Sequence, residues 1–284
     1  MTLATIKSDL GIMLRDTSSN IWSAAEKLAA INMAIRNAYP SWYTETYADT
    51  IVVQEDKLEY DLPTMTRLID VAVEQSGNYT NGIATGGSSS TLEDTDASWT
   101  TDEYAGWHVT LYYGTGAGQY ALVASNTATA LTLTTSGYNW TVTPDTTSKY
   151  CIKDYSTQDF AYRPIWGYKV DKTKSPTKLY LAAPYTPGMY LRLHYVTAPA
   201  ELSDDADTTI VPNEWIVLQA AARLHLMRME NAPGHHVDVD QGLFQYYQTL
   251  ADNFKANHSF RFPPIQICIE SEAGGFAYPD DYPF

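Results

Sequence analysis

Cysteine is nearly absent from this chain, since its 284 residues include only Cys151 and Cys268. Neither has a second cysteine at the CxxC spacing of zinc and redox motifs, and one distant pair cannot supply a disulfide framework. Long apolar runs are also missing, because no stretch reaches the roughly 18 uninterrupted apolar residues that cross a bilayer. The first twenty residues carry charges such as Lys7 and Arg15 inside a helical pattern, unlike an export signal. We therefore expect a soluble, unexported protein of a reducing compartment, with no membrane partner.

Positive charge is scarce and unevenly spread. The chain has 18 Lys and Arg against 33 Asp and Glu, and its formal net charge is −15. Residues 80–150 carry six acidic side chains against a single cation, Lys149. Because nucleic-acid affinity depends on clustered Lys and Arg, this composition argues against a surface built to neutralise phosphates. The acidity either serves solubility alone or forms a wall that keeps passing nucleic acid from sticking.

Catalytic and cofactor signatures are absent as well. No GxSxG nucleophile elbow occurs, and neither cysteine has a histidine within a recognisable family signature. Gly114, Gly116 and Gly118 superficially resemble a nucleotide-binding loop, but they lie between two strand patterns and no Lys follows them. A phosphate-binding loop needs its glycines to open a helix, so we predict a flexible hairpin loop here. The sequence therefore predicts no enzyme activity and no cofactor.

The densest set of potential metal ligands is His225, His235, His236, Asp238 and Asp240. Two adjacent histidines cannot easily aim at one ion from a regular element, and this pair lies in a predicted loop between helices. Asp238 is already used as the predicted cap of a helix. We therefore predict a loop here and no metal site.

Amphipathic helices are predicted near both ends of the chain. In the first helix a 3-4-3 spacing places the apolar residues on one face, at Leu3, Ile6, Leu10 and Met13. Ser23 and Glu26 form a capping box that begins the second helix, and Pro40 ends it. Pro212 and Asp238 are the predicted starts of a third and a fourth helix. The apolar face of the fourth is predicted to comprise Leu243, Tyr247, Leu250 and Phe254.

Strand patterns fill the chain between the helices. Short strands are predicted at 50–54, 57–61 and 67–74. From 79 to 153 the composition turns to Thr, Gly and Ser, and alternating runs with turns at roughly ten-residue spacing predict a small β sandwich or barrel. These alternating runs lie at 108–113, 119–124 and 130–134. A strand at 189–196 alternates apolar and polar residues, which predicts a half-buried strand of an antiparallel sheet.

The predicted fold class is therefore α+β, with a helical-hairpin bundle and a small antiparallel sheet. Residues 1–78 and 154–259 are expected to form this discontinuous core. Residues 79–153 are expected to be an inserted all-β domain. Residues 260–284 are rich in proline and aromatic side chains, too apolar for a plain disordered tail, and are predicted to be an extended C-terminal arm that docks on a partner.

Aromatic side chains are abundant, with 22 Tyr and 7 Trp. Tyr and Trp are favoured at protein interfaces because one end is apolar and the other forms hydrogen bonds. The candidate interface residues of the C-terminal arm are Phe260, Phe262, Ile265, Ile267, Phe276, Tyr278, Tyr282 and Phe284. The candidate surface aromatics of the inserted β domain are Trp99, Trp107 and Trp140.

Two runs of the chain carry a resemblance to a known family. The N-terminal run comprises Leu3, Leu10-Gly11, Leu14, Asp16, Trp22-Ser23, Leu28, Ile31-Asn32 and Ala34-Ile35. The later run comprises Leu179-Tyr180-Leu181, Pro184, Leu191 to Tyr195, Pro199, Leu202, Pro212, Trp215 and Ala220 to Ala222. In this order, these residues resemble the head-to-tail connector proteins of tailed bacteriophages, also called adaptor, neck or head-completion proteins. The simplest members of that family lack a segment like 79–153.

The resemblance implies a structural virion protein at the head-tail junction, assembled in the host cytoplasm. It implies a ring of twelve subunits that binds the portal protein on one side and a tail or nozzle protein on the other. Double-stranded DNA would pass through an acidic channel without specific binding. The helical bundle would dock on the portal, and residues 260–284 would reach a neighbour or the portal.

A second interpretation of a different class stays open. The β segment 79–153 is also compatible with a binding module that attaches a fibre or recognises carbohydrate. In that case Trp99, Trp107 and Trp140 would be exposed platforms for stacking against sugar rings.

Overall fold

The computed structural model describes residues 1–75, 77–134, 139–155, 161–231 and 237–258. The fold is of the mixed α+β class, as predicted, with four helices and several antiparallel sheets in this part of the chain. Contacts divide the chain into two compact units. The first comprises Met1–Glu45, Met65–Arg67 and the described residues from Val196 onward, and the second comprises Thr46–Thr64 and Leu68–Tyr195.

The first unit, here called the helical unit, contains four helices. They are α1 (Leu3–Met13), α2 (Ala24–Ala38), α3 (Asn213–Asn231) and α4 (Val237–His258). Its core is aliphatic around one pair of indoles, Trp42 and Trp215, whose ring centroids are 4.7 Å apart. Leu3, Ile6 and Leu10 are fully buried in this core, which confirms the predicted face of α1. No helix in the described ranges is both long and apolar enough to cross a lipid bilayer.

The start of α2 confirms the predicted capping box. The Glu26 amide donates to the Ser23 hydroxyl oxygen at 3.2 Å, and the Ser23 amide donates to the Glu26 carboxylate at 2.8 Å. Two backbone donors that the helix itself cannot satisfy are paired in this way. The predicted end of the helix is confirmed too, since α2 ends at Ala38, just before Pro40.

The loop between α1 and α2 is organised by a buried ion pair. The Asp16 carboxylate accepts hydrogen bonds from the amides of Asn20, Ile21 and Trp22, and the Lys27 ammonium lies 3.0 Å from it. Burial raises the pKa of Asp16, but the Trp22 amide, Lys27 and the other amides outweigh it and lower the pKa to about 2. The carboxylate therefore fixes the loop from within.

The second unit, here called the β unit, holds most of the strands in three sheets. A four-stranded sheet has the order β1-β14-β3-β11, with β1 (Thr44–Val52), β3 (Arg67–Glu74), β11 (Tyr162–Pro164) and β14 (Tyr190–Thr197). A three-stranded sheet has the order β12-β13-β2, with β2 (Glu59–Asp61), β12 (Tyr168–Asp171) and β13 (Lys178–Leu181). The predicted strand at 50–54 is wrong at its start, because β1 begins six residues earlier and extends along β14.

The third sheet has seven strands in the order β4-β10-β7-β8-β9-β6-β5. They are β4 (Tyr79–Ile83), β5 (Gly86–Ser88), β6 (Thr91–Glu93), β7 (His108–Tyr113), β8 (Tyr120–Asn126), β9 (Ala130–Leu133) and β10 (Lys149–Lys153). Only Ala84 and Thr85 separate β4 from β5, and their amides donate to the carbonyls of Ser148 and Glu93. The first and the last strand of this order, β4 and β5, are therefore two halves of one bent segment, Tyr79 to Ser88.

All seven of these strands lie within residues 79–153, the segment predicted to be an inserted β domain. Their inner side chains form a separate apolar cluster that includes Leu92, Val109, Leu111, Val123 and Leu131. The contacts group this sheet with the other strands, whereas the sequence prediction grouped those strands with the helices. Whether 79–153 is an insertion in the evolutionary sense stays a prediction.

The glycine-rich string between β7 and β8 is a hairpin connection, as predicted. β7 and β8 pair antiparallel, and Gly114, Gly116 and Gly118 all have positive φ, at 73°, 78° and 95°. These backbone conformations favour glycine, and a Cβ on Gly114 would collide with the Thr147 carbonyl. The glycines thus serve a tight turn and do not open a helix.

The prediction that β14 is half-buried is wrong for its first half, Tyr190 to Leu193. Tyr190 and Arg192, which were expected on a solvated face, are as buried as Leu191 and Leu193 on the opposite face. The reason is that side chains from β7 and β10 cover this end of the four-stranded sheet, as the hydrogen bond between His108 and Tyr190 shows.

Candidate functional site

A connected group of buried charged and aromatic side chains lies in the β unit, on the face of the four-stranded sheet that β7 and β10 cover. This group is called the polar layer below. It comprises Asp49, Glu74, His108, Lys153, Tyr155, Tyr162, Tyr190 and Arg192.

One half of the polar layer is an ion pair between Lys153 and Glu74, both almost fully buried. The Lys153 ammonium also donates to the Gly188 carbonyl at 2.8 Å and lies 3.6 Å from the Tyr190 ring centroid. The Tyr190 amide donates to the Glu74 carboxylate at 3.0 Å. Burial lowers the pKa of Lys153, and the charge of Glu74 opposes that shift. Each charge therefore depends on the other for compensation.

The other half is a bidentate pair between Asp49 and Arg192. The Arg192 Nε and Nη2 donate to the two carboxylate oxygens at 2.9 and 3.0 Å. The Tyr155 hydroxyl donates to the same carboxylate at 2.8 Å, and the guanidinium lies 3.6 Å from the Tyr162 ring centroid. The hydrogen bonds to Asp49 raise the pKa of Arg192. Burial, followed by the bond to Asp49, raises the pKa of Tyr155 to about 12.

His108 joins the two halves. Its Nδ1 lies 2.9 Å from the Tyr190 hydroxyl, and its ring stacks on Tyr155 with centroids 4.4 Å apart. Burial and the nearby Lys153 charge lower the pKa of His108 to about 4. The imidazole is thus neutral near pH 7.

The polar layer is built for fixing structure more than for turnover. Its ions are matched to one another, and burial also raises the pKa of the adjacent Cys151 thiol to about 12, which makes it a poor nucleophile. Among the residues that the structure describes, no group of three or more His, Cys, Asp or Glu side chains is placed to hold a metal ion. The polar layer therefore joins side chains from several strands and holds those strands in register.

A second buried pair joins α3 to α4 in the helical unit. The Nδ1 of His225 lies 2.8 Å from a carboxylate oxygen of Asp240, and both side chains are buried. The Trp22 ring packs edge-on against His225, and the Tyr247 ring stacks on it. The structure thus brings together two of the five residues weighed as metal ligands, as a helix-to-helix contact.

Of the remaining three, Asp238 does not join this pair. Asp238 lies exposed in the first turn of α4, which begins one residue earlier. His235 and His236 lie outside the described residues. Sequence reasoning missed the pairing of His225 with Asp240 because a spacing of fifteen residues across a loop carries no local signal.

One helix displays large apolar side chains to solvent. Val239 is 57% exposed, Tyr246 58% and Leu250 36%. Their spacings of seven and four residues place them on one face of α4, and this set is called the α4 stripe. Leu250 was predicted to face the core, whereas Tyr247 and Phe254 do pack against it. An exposed apolar row on a helix marks an interaction surface.

Positive charge collects in a single hairpin of the β unit, which sequence reasoning missed. β12, β13 and their connecting turn carry Lys169, Lys172, Lys174 and Lys178, and this element is called the lysine hairpin. Four of the chain's 18 cations fall within ten positions, a signal that was available in the sequence. Lys178 is bound by Glu59 at 2.9 Å and Asp61 at 2.6 Å.

Negative charge collects in the connection between β6 and β7. The exposed carboxylates there belong to Glu93, Asp96, Asp102 and Glu103, and residues 93–103 are called the acidic loop. Asp94 is buried instead and accepts a hydrogen bond of 2.5 Å from the Tyr150 hydroxyl. The loop therefore has an anchored interior and a charged exterior.

The tryptophans predicted at the surface of the β segment are placed differently. Trp140 is only 4% exposed and donates through Nε1 to the Thr91 carbonyl at 3.1 Å, so the prediction of a surface platform is wrong for it. Trp99 and Trp107 are half-buried and pack against the apolar cluster of the seven-stranded sheet. The candidate interface residues between Phe260 and Phe284 lie outside the described residues, and their role stays a prediction.

No protein-family model matches the chain. No curated protein matches it either.

Proposed function

We propose that this protein is a structural virion component that forms a ring between the portal protein and the tail. In this proposal the subunits meet head to tail and DNA passes through a central, acidic channel. The helical unit is a bundle of two helical hairpins, and the seven-stranded sheet is a small β barrel carried as an inserted domain.

The observation that carries the proposal is the α4 stripe. The stripe places three exposed apolar side chains on one helical face, and two of them, a valine and a tyrosine, are more than half exposed. In a ring of identical subunits such a face is covered by the neighbouring copy, because a contact between two different surfaces repeats until the circle closes. Tyr246 is suited to anchor such an interface, because its ring is apolar and its hydroxyl can form hydrogen bonds at the polar rim.

The charge distribution favours a channel through which DNA passes, and it disfavours a surface that binds DNA. A net charge of −15 on each subunit is multiplied by the number of copies around a channel. The potential of such a ring repels phosphates and leaves the genome mobile. The non-enzymatic part of the proposal is supported by the polar layer, whose ions are engaged with each other.

The alternative function, a module that binds carbohydrate or attaches a fibre, has less support. It relied on three exposed tryptophans, and Trp140 is buried while Trp99 and Trp107 pack against the core. A stacking platform needs an open indole face.

Native mass spectrometry and negative-stain imaging of the purified chain, with and without portal, test the proposal. The wild-type chain is expected to give a closed ring alone or on the portal. Val239→Ser/Tyr246→Ser is expected to weaken assembly about tenfold or more, because it removes apolar area from the interface. A matched control is Ile83→Ser/Tyr79→Ser on β4, whose side chains are 56% and 45% exposed. A wild-type chain that stays monomeric with portal present and binds glycans would contradict the proposal.

A further inference from the structure

Two surfaces of opposite charge lie on the same β unit. The lysine hairpin carries four lysines and one acidic residue, Asp171, and one of the four, Lys178, is bound by Glu59 and Asp61 of the neighbouring strand. The acidic loop carries four exposed carboxylates, and no cation lies between residues 80 and 148. In a chain with nearly twice as many acidic as basic residues, a local excess of lysine is an exception that needs a reason.

The tip of the lysine hairpin has a defined shape. The Asp171 carboxylate accepts hydrogen bonds from the amide and the hydroxyl of Thr173, at 2.9 and 2.6 Å. These bonds fix the turn and engage the one acidic side chain of the hairpin. Lys172 and Lys174 flank Thr173 and are exposed. The turn therefore carries two exposed lysines on a fixed backbone.

The acidic loop is held just as firmly. Buried Asn126 accepts a hydrogen bond from the Tyr104 amide at 2.8 Å and donates to the Thr100 carbonyl at 2.7 Å. The Asp102 amide donates to the Asn126 carbonyl, and the Trp99 amide donates to the Ala128 carbonyl. The loop is thus tied to β8 and to the turn that follows it, so its carboxylates stand at fixed positions.

We propose that the lysine hairpin of one subunit docks on the acidic loop of the next. This inference rests on the proposed ring and names a contact that builds it. The two surfaces differ, so their pairing is head to tail, which is the type of contact that closes into a ring. Charge complementarity of this kind steers encounter and fixes register more than it adds affinity. It complements the apolar contact of the α4 stripe.

The other polyanion to consider is DNA, and the charge balance favours a second copy. DNA affinity depends on several cations acting together, and the field of 33 acidic residues opposes its approach. Every copy, by contrast, carries one acidic loop for each lysine hairpin. The backbone of the loop is already held by hydrogen bonds before any docking.

A charge swap tests the contact. Lys172→Glu/Lys174→Glu and Asp96→Lys/Glu103→Lys are each expected to weaken ring assembly about tenfold at 0.15 M salt, since each places like charges opposite one another. The variant with all four substitutions is expected to regain assembly, because the attraction is restored with inverted sign. Lys7→Glu/Arg36→Glu, in the helical unit, is the control of equal charge change. Circular dichroism confirms that each variant is folded.

The outcomes separate this inference from the proposed function. Loss of assembly in both double variants with recovery in the fourfold variant supports the docking. A ring that forms as well in each double variant as in the wild type overturns it and leaves the proposed function standing. Unchanged assembly with loss of DNA binding in the lysine variant also overturns it, in favour of nucleic acid as the partner. A wild-type chain that never assembles, even on the portal, overturns both.

Discussion

The two units of this protein bury charge in contrasting ways. In the helical unit the core is apolar around Trp42 and Trp215, and buried Asp16 acts at a loop, where it satisfies backbone amides. In the β unit one ion pair, Lys153 with Glu74, joins two sheets, and another, Asp49 with Arg192, joins neighbouring strands of one sheet. The buried pairs of the helical unit, Asp16 with Lys27 and His225 with Asp240, fix one loop and one contact between two helices. The difference teaches that the polar layer selects the partners of strands from distant parts of the chain, a role in specificity more than in stability.

The largest expected effect comes from breaking the polar layer at one residue. Lys153→Met leaves the Glu74 carboxylate buried without its counter-ion, and we expect a loss of about 3–5 kcal/mol in the free energy of unfolding. Lys153→Met/Glu74→Leu removes both charges and is expected to recover most of that loss. Urea unfolding of the wild type, both single variants Lys153→Met and Glu74→Leu, and the double variant measures these values.

The control for this prediction is the exposed pair of Lys7 and Asp205. Lys7→Met is expected to change stability by less than about 1 kcal/mol. A double variant that loses the sum of two single losses would show that the ion pair is not the unit of stabilisation.

The two units are expected to lose stability in different pH ranges. His108 has a folded pKa of about 4 against an unfolded value of 6.5, so the unfolded chain takes up the proton first. Stability from the β unit is therefore full above pH 6.5 and declines as the pH falls toward 4. Asp16 has a folded pKa of about 2 against 3.8, so its contribution is lost only between pH 3.8 and 2.

Urea midpoints measured from pH 8 to pH 2 test this order. His108→Gln is expected to remove the decline between pH 6.5 and 4, and Asp16→Asn is expected to leave that decline intact while lowering stability at pH 7. If the decline survives in His108→Gln, another group in the β unit is its source.

The smallest expected effect belongs to the start of α2. Ser23→Ala removes the acceptor for the Glu26 amide and is expected to cost about 1 kcal/mol. Ser8→Ala, on the exposed face of α1, is the matched control and is expected to stay within about 0.5 kcal/mol of the wild type. Thermal unfolding measures both. Equal values for the two variants would contradict the capping role.

Features set by neighbours in the chain could be predicted from the sequence. The capping box at Ser23 and Glu26 needs only a spacing of three residues, and the turn at Gly114 needs only local backbone freedom. The apolar face of α1 follows from helical periodicity alone.

Features set by distant residues could not be predicted in this way. An alternating strand shows only its own pattern, so Tyr190 and Arg192 were predicted to face solvent. Tyr190 is covered by His108 and Lys153 of β7 and β10, and Arg192 by Asp49 and Tyr162 of β1 and β11. Trp140 is buried by a strand almost fifty residues away, which its local polar surroundings do not reveal. The sequence shows the clustered charges of the lysine hairpin and the acidic loop, but only the structure shows that both are ordered, exposed surfaces.

The bent segment from Tyr79 to Ser88 has a consequence for the proposed ring of identical subunits. Because the order of the seven strands returns to this segment, the outermost strands are only five and three residues long, with a bend between them. Short, bent borders offer little straight backbone for a foreign strand to join. Under the proposed function, identical chains can therefore crowd together without adding strands to this sheet.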